Sequence, residues 1–256
     1  MNTQYILTII GCSVLLNAPA LAGDDAAASP VPVGAQEFAP VMVQGMGNPA
    51  VTSYANLLRG VQAFHDNHSL APTATLRFRA IDLSPADGPL KLRLETEDKV
   101  IPIEVDRDGF FVLPESTAVG AADGELVANR RAGSARIGPV IRSAGFDDMR
   151  FRLGDERLWC EVASAIGKDE ISLPLRLLVA LRGPICKNPR VKVAQFFLRE
   201  TVLSGKLSEG NRQVELEVNS ASNKVYFPLN DATWTNDGIV QLQMADTKAK
   251  PAQVSR

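Results

Sequence analysis

The sequence predicts a mainly-β protein: an antiparallel β-sandwich, as one module or two, with one or two accessory helices and one disulfide. Many short segments alternate apolar and polar residues with a period of two, which is typical of strands with one buried face. Turn residues separate these segments at short intervals, as in sandwiches and barrels. Clear helical spacing occurs near residue 54, and two cysteines are available to pair.

Residues 1–22 are predicted to be a cleavable secretion signal. A short apolar run over residues 5–16 precedes Ala20-Leu21-Ala22, the small-x-small pattern of a cleavage site near Ala22. The run is too short to span a bilayer, so no integral membrane span is expected in the mature chain. The protein is therefore expected to be periplasmic or secreted. Ile9-Ile10-Gly11-Cys12 resembles a bacterial lipobox, so a lipoprotein anchored through Cys12 is the alternative.

The segments that follow are predicted in chain order. Residues 23–37, rich in Ala, Pro, Gly and Asp, are expected to be a disordered leader. One amphipathic helix begins at Tyr54, capped by Thr52 or Ser53, and ends near residues 65–69. Its apolar face consists of Tyr54, Leu57, Leu58, Val61 and Phe64.

Strands are predicted along most of the remaining chain. A Thr-Glu-Asp-Lys turn at 96–99 and an Arg-Asp-Gly turn at 107–109 join neighbouring strands, and Gly109 supplies the positive φ angle. The predicted strands cover residues 76–79, 90–95, 100–105, 110–113, 125–129, 136–142, 191–202, 213–218, 224–229 and 238–244. Residues 172–181 fit either a second helix or a buried strand.

The predicted organisation is two modules. Residues 38–145 would form a helix-plus-β module, residues 146–246 a disulfide-containing β module, and residues 247–256 a flexible tail. Cys160 and Cys186 are the two cysteines of the mature chain, and an oxidising compartment favours their bonding. A bridge across 26 residues would stabilise the fold by about 3 to 4 kcal/mol. A redox pair or a metal site is the alternative.

Two resemblances add to this interpretation. The sequence Val105-Asp-Arg-Asp-Gly-Phe-Phe-Val-Leu-Pro114 resembles the hairpin of transthyretin-like or carboxypeptidase-regulatory-like β-sandwich modules, which share a D-x-x-G-x-F-x-L-P pattern. The pairs Ser53-Tyr54, Asn129-Arg130 and Trp159-Cys160, with residues 68–72 and 152–155, resemble exported proteobacterial proteins of unknown function. The second resemblance implies an exported protein and no particular activity.

Motifs for catalysis are absent from the sequence, which contains no G-x-S-x-G, S-x-x-K, H-E-x-x-H or phosphate-binding loop. No catalytic residue or cofactor is assigned. His65 and His68, three residues apart, are weak candidates for a metal site, and a polar helix end is the alternative. The carboxylate pairs Asp147-Asp148 and Asp155-Glu156 offer the chemistry of a glycoside hydrolase, but their adjacency in sequence predicts solvated loops.

Binding surfaces are the more promising class. Arg77, Arg79, Lys91 and Arg93 are expected on neighbouring strands, as a cationic stripe or an ordinary solvated face. A second basic cluster, Arg130, Arg131 and Arg136, flanks a glycine-containing loop and could dock an acidic partner. Trp234 is expected as an exposed stacking ring, in a groove with Tyr226, whereas Trp159 is expected in the core.

The predicted function is therefore non-catalytic: an exported binding or envelope-assembly module that contacts another protein. The alternatives are a carbohydrate or anionic envelope-polymer binder, and a hydrolase of unrecognised type. A formal net charge of −2 without a basic face argues against a nucleic-acid partner. The sequence does not specify the partner, which would be an envelope protein or polymer, or the oligomeric state.

Overall fold

The computed structural model of the chain describes residues 48–84, 88–114, 124–169, 184–188, 192–196 and 201–245. The predicted signal, leader and tail, and the ambiguous segment 172–181, lie outside these described residues. All described residues belong to a compact unit that begins at Gly45. They fold into antiparallel sheets with two α-helices, so the mainly-β prediction is confirmed.

Helix α1 (Tyr54–Asp66) begins where the sequence predicts it and directly follows strand β1 (Pro49–Ser53). The Ser53 hydroxyl accepts a hydrogen bond from the Asn56 N–H at 3.3 Å, which satisfies one of the free donors of the first turn. Its apolar face is buried, with Tyr54 and Leu57 fully inaccessible to solvent.

The first sheet has the strand order β1-β6-β3-β4. It contains β3 (Leu92–Glu95), β4 (Val100–Ile103) and β6 (Glu125–Arg131). The predicted turn at 96–99 joins β3 to β4, and the Thr96 N–H donates to the Lys99 carbonyl at 2.9 Å.

The second sheet has the order β5-β2-β7. It contains β2 (Ala74–Asp82), β5 (Phe110–Phe111) and β7 (Ala135–Ser143). Gly109 has a φ of +87°, so the predicted turn before β5 has the backbone conformation that favours glycine. Side chains of both sheets and of α1 share one apolar core, which includes Tyr54, Phe78, Leu94, Phe111 and Leu126.

Two further sheets form from the C-terminal half. One has the order β11-β10-β14-β8, with β8 (Arg150–Arg152), β10 (Val202–Glu209), β11 (Arg212–Glu215) and β14 (Ile239–Met244). The other has the order β12-β13-β9, with β9 (Val193–Phe196), β12 (Glu217–Asn219) and β13 (Lys224–Phe227). They share a second apolar core around Phe151, Leu207, Val225, Phe227 and Val240. The division into two modules near residue 145 remains a prediction.

Helix α2 (Leu153–Ile166) is a helix that the sequence pattern did not predict. Arg152, an unusual N-cap residue, donates its backbone N–H to the Asp155 carboxylate at 3.1 Å. The two helices approach closely at Gly60, where a Cβ atom would lie 2.6 Å from Cγ1 of Ile166. Leu158 and Val162 fill a third apolar cluster with Phe64 and Ile141.

The predicted disulfide between Cys160 and Cys186 is confirmed. Cys160 lies in α2, and Cys186 lies in the 3₁₀ turn Ile185–Lys187, with Cα atoms 5.8 Å apart. Both residues are buried, and they contribute to the second apolar core. Across the part of the chain that is described, neither helix has the length and apolar character needed to cross a membrane.

Candidate functional site

An apolar cleft of about 880 Å³ opens beside the first two sheets. Its walls come from α1, the first half of β2, β4 with the residues after it, and β5 with the residues after it. The apolar lining consists of Val61, Phe64, Ala74, Leu76, Phe78, Ile101, Pro102, Ile103, Val105, Phe110, Phe111, Val112, Leu113 and Pro114.

The cleft exists because β4 and β5 are edge strands among those described. Ile101 and Ile103 alternate inward along β4, where they pack against the core of the first two sheets while remaining partly accessible. Val100 and Val112 lie outside that core and are 64% and 86% exposed. Of these two valines, Val112 lines the cleft, and exposed apolar surface in a depression is typical of an interaction site.

The outer edge of β4 is poorly suited to pairing with another strand. The hydrogen bond from the Thr96 N–H to the Lys99 carbonyl makes these residues a hydrogen-bonded pair at the turn. Hydrogen-bonded and non-hydrogen-bonded pairs alternate along an antiparallel hairpin. The main-chain polar groups of Val100 and Pro102 therefore point away from β3. Proline has no N–H, so this edge lacks a donor at its centre. The cleft therefore presents apolar side chains more than main-chain groups that could pair with another strand.

Charged groups near the cleft are largely compensated. The Arg77 guanidinium lies 3.5 Å from the Asp106 carboxylate, and that of Arg79 lies 2.8 Å from Asp148. Both guanidiniums also lie over the Phe110 ring, at 3.6 Å and 4.1 Å from its centroid. The two guanidiniums therefore hold the turn before β5 in place, and little of their positive charge remains for a ligand.

Arg77, Arg79, Lys91 and Arg93 do not form one cationic stripe, because β2 and β3 belong to different sheets. Arg77 and Arg79 lie on β2, whereas Arg93 lies on β3 and pairs with Glu95 at 2.5 Å. Lys91 is exposed just before β3, where its backbone N–H donates to Asn129. The alternating pattern identified both strands, but it did not show which strands are neighbours.

The two histidines do not converge on one site. His65 is exposed in the last turn of α1 and lines the cleft, whereas the His68 Nε2 lies 3.1 Å from the Ala74 carbonyl oxygen. Each ring packs against Phe64. Among the described residues, no group of three or more His, Cys, Asp or Glu side chains is placed to hold a metal ion.

The loop location expected for Asp155 and Glu156 is wrong, because both are fully buried in the first turn of α2. The Asp155 carboxylate accepts from the Ser143 hydroxyl at 2.7 Å and from the Ser143 N–H at 3.2 Å. These bonds, with the Arg152 N–H, fix the start of α2 against the end of β7.

Both candidate carboxylate pairs meet at Arg142. Its guanidinium lies 3.3 Å from Glu156 and 3.5 Å from Asp148, and it donates to the Asp147 carbonyl at 3.0 Å. Burial raises the pKa of Glu156 to about 7, although Arg142 opposes the shift. Because the Glu156 carboxyl is inaccessible to solvent, a glycosidic oxygen cannot reach it. The cluster is structural in this arrangement.

The second basic cluster is only partly exposed, because Arg131 and Arg136 are exposed and Arg130 is not. Arg130 is only 1% exposed and forms an ion pair with Asp82, with 2.6 Å between Nη2 and Oδ2. Arg131 on the same strand is exposed. Alternation along β6 separates these neighbours, because consecutive side chains point to opposite faces.

The expectation of an exposed Trp234 ring is also wrong, because the residue is only 4% exposed. The Arg212 guanidinium lies 3.5 Å from its ring centroid and covers it. Tyr226 is half-buried on β13, and the two residues line one groove of about 480 Å³. Trp159 is half-buried and donates its Nε1–H to the Pro139 carbonyl at 3.2 Å.

Sequence reasoning missed the apolar cleft, although it identified the strands that form it. Ile101, Ile103 and Val105 alternate as in any half-buried strand, so nothing local shows that their inner face is incompletely covered. The sequence offered one signal of an exposed apolar surface. Val112, in the motif that resembles β-sandwich modules, lies between the inward-facing Phe111 and Leu113 and is therefore expected to point outward.

Comparison with protein-family models, with curated proteins and with solved structures finds no match for this chain.

Proposed function

We propose that this protein is an exported, non-catalytic binding module that receives an apolar segment of a partner protein in the cleft. The observation that supports this is the cleft itself: an apolar depression beside two edge strands, with the exposed Val112 in its lining. Concave sites with apolar walls are the usual location of specific binding.

The charges favour a polypeptide over an anionic polymer or a lipid headgroup. The lining contains the acidic Glu104 and Asp106 and the basic Arg77. Arg77 is already paired with Asp106, so the cleft offers no concentrated positive charge to a phosphate or sulfate. An uncharged apolar segment loses the least solvation on entering such a site.

The size of the cleft admits a few apolar anchors. Burying one Val, Leu, Ile or Phe side chain contributes about 1.5 to 3 kcal/mol. Two or three such anchors contribute roughly 3 to 9 kcal/mol together, and the entropic cost of association is subtracted from this sum, so the expected complex is weak. The partner is therefore expected to present two or three apolar side chains in an extended run.

Replacing Val112 with lysine is expected to weaken partner binding at least about tenfold, because a bound apolar segment would lose contact with the valine and would desolvate the lysine charge. The matched control is Leu203→Lys, at a residue that is 51% exposed on β10 in another sheet. A photo-crosslinking amino acid at position 112 in the mature protein, used in the cell envelope, would identify the partner segment. Titration of the corresponding synthetic peptide would then give its Kd for each variant.

The proposal requires one apolar segment that crosslinks from position 112 but not from position 203. Equal affinity of the peptide for Val112→Lys and for the wild-type protein would place the binding surface elsewhere. A crosslinked lipid instead of a peptide would replace the protein partner with an acyl chain and overturn the assignment.

A further inference from the structure

A second groove lies on the outer face of the sheet β12-β13-β9, in the opposite half of the chain from the cleft. Tyr226 projects from its floor, while its neighbours Val225 and Phe227 point into the core and are buried. The opposite wall is the loop of residues 228–234. The groove has a volume of about 480 Å³, enough for a few sugar rings or an equivalent small ligand.

Strand register determines which side chains flank the Tyr226 ring. Its cross-strand partners are Glu217 on β12 and Ala194 on β9. Directly opposed residues share a face of a sheet, so a carboxylate flanks the ring on one side and a methyl group on the other. Lys192 donates to Glu217 at 2.6 Å, with its Nζ 5.9 Å from the ring centroid. An aromatic face, an acceptor and a cationic donor therefore lie side by side.

One guanidinium makes several of the hydrogen bonds that hold the opposite wall in place. Arg157 on α2 donates to the carbonyls of Leu229, Asp231 and Trp234 at 2.9, 3.0 and 3.0 Å. It also donates to the Asn236 side chain at 2.6 Å. Four bonds from one half-buried planar group fix the loop before any ligand arrives, and such preorganisation lowers the entropic cost of binding.

Asp231 adds a fixed acceptor to this wall. Its Oδ1 accepts from the Thr233 N–H at 2.8 Å and from the Thr233 hydroxyl at 2.6 Å. These bonds hold the pKa of the Asp231 carboxyl below its ordinary value, so the group is ionised at neutral pH. Both bonds use Oδ1, and Oδ2 remains available to accept a hydroxyl.

We infer that this groove binds a neutral saccharide. The C–H face of a sugar ring packs on an aromatic face, and adjacent hydroxyls pair with carboxylates and an ammonium group. The lining contains the acidic Glu215, Glu217 and Asp231 against the basic Lys192, so an anionic polymer would be repelled. The inference is independent of the cleft, because the two sites share no residue.

The test is titration of the full mature protein with cellotetraose, maltotetraose and chitotetraose, followed by calorimetry and by tryptophan fluorescence. At least one probe is expected to bind saturably below about 10 mM. Tyr226→Ala is expected to weaken that binding at least about tenfold, whereas Tyr226→Phe, which keeps the ring, stays within about threefold of wild type. Val112→Lys in the cleft is expected to bind the sugar as wild type does.

Two results would overturn the inference. One is the absence of saturable binding of all three probes to the wild-type protein. The other is binding to Tyr226→Ala within about twofold of wild type. If Tyr226→Ala does not fold, as judged by circular dichroism, the exposed Glu217→Gln variant takes its place and must weaken binding severalfold. If the wild-type protein binds a sugar but binds no peptide at the cleft, the proposed function is rejected and the saccharide inference is retained.

Discussion

Replacing Arg130 with methionine is expected to lower the free energy of unfolding by about 3 to 5 kcal/mol, because it would leave the Asp82 carboxylate without its buried partner. Arg130 lies on β6 in the first sheet, and Asp82 ends β2 in the second. Their atoms meet at 3.0 Å, from Nε to Oδ1, and at 2.6 Å, from Nη2 to Oδ2. This bidentate pair therefore joins the two sheets that enclose the first apolar core.

Arg130 also satisfies backbone groups that would otherwise be unpaired. Its Nη1 donates to the Asn129 carbonyl at 2.9 Å, and its Nη2 contacts the Gly88 carbonyl. Methionine fills a similar volume but provides none of these donors. The loss is consequently larger than that of an exposed ion pair, which contributes about 1 kcal/mol or less.

Urea unfolding of the oxidised mature protein measures this effect. Arg131→Met, at the exposed neighbouring position, is the matched control and is expected to change stability by about 0.5 kcal/mol or less. Removing both charges, in Arg130→Met with Asp82→Leu, should recover part of the loss because no lone carboxylate remains. An unchanged unfolding midpoint for Arg130→Met would show that the pair contributes little to joining the sheets.

The ion pair between Arg130 and Asp82 also makes the free energy of unfolding depend on pH in the acid range. The hydrogen bond from Arg130 is the main reason that the pKa of Asp82 lies below its ordinary value of 3.8. Its stabilisation is present above the unfolded pKa and is lost as pH falls through the lower folded value. Arg130→Met should therefore lose less stability between neutral pH and acid than the wild-type protein does.

Features that depend on local sequence were predictable. Ser53 caps α1 through an atom three residues away, and Asp108-Gly109 turns the chain at Gly109 by its own backbone preference. The bonding of Cys160 to Cys186 followed from their being the two cysteines outside the predicted signal. In each case the deciding information lies within a few residues or in composition.

Features that depend on distant partners were not predictable. Asp155 and Glu156 look like a solvated acidic loop until Arg142 and Ser143, from another element, supply their partners. Arg130 and Arg131 look like one basic cluster until pairing of the sheets buries the first against Asp82. Trp234 looks exposed among polar neighbours, yet Arg212 covers its ring. The sequence pattern around one residue does not show which distant residue it contacts.

The candidate sites also combine features that local sequence predicts with features that depend on distant partners. The sequence placed Tyr226 and Trp234 in one groove, but Glu217 joins Tyr226 through strand register and Arg157 acts from a helix that was not predicted. The cleft likewise requires two edge strands from different sheets to lie close together. A site assembled from non-adjacent strands is fixed by topology, which hydrophobic periodicity leaves open.

Between acid and neutral pH, the wild-type protein is expected to lose up to about 3 kcal/mol of its free energy of unfolding because of Glu156. Replacing Glu156 with glutamine is expected to remove this loss. Burial raises the pKa of this carboxyl from 4.5 to about 7, so the folded state holds a proton that the unfolded state has released. Stability from Glu156 is therefore complete below pH 4.5, falls as pH rises, and is lost above about 7.

Glutamine retains the shape of the side chain and carries no charge at any of these pH values. Arg142 stays compensated in the variant, because the Asp148 carboxylate lies 3.5 Å from it and the Asp147 carbonyl accepts a hydrogen bond from it. Urea unfolding at pH 5, 6, 7 and 8 should thus show a flatter profile for Glu156→Gln than for wild type. Glu161→Gln, at a half-buried position on the same helix, is the control and should follow wild type.

Parallel profiles for wild type and Glu156→Gln would mean that Glu156 is ionised in the folded state throughout this range. Arg142 would then outweigh desolvation, and breaking the pair should instead destabilise the protein at every pH above the ordinary carboxyl range. The two outcomes differ in sign at pH 8: Glu156→Gln is more stable than wild type if burial dominates, and less stable if the ion pair dominates. One pair of unfolding curves therefore determines whether the contact between α2 and β7 is held by a protonated acid or by a buried ion pair.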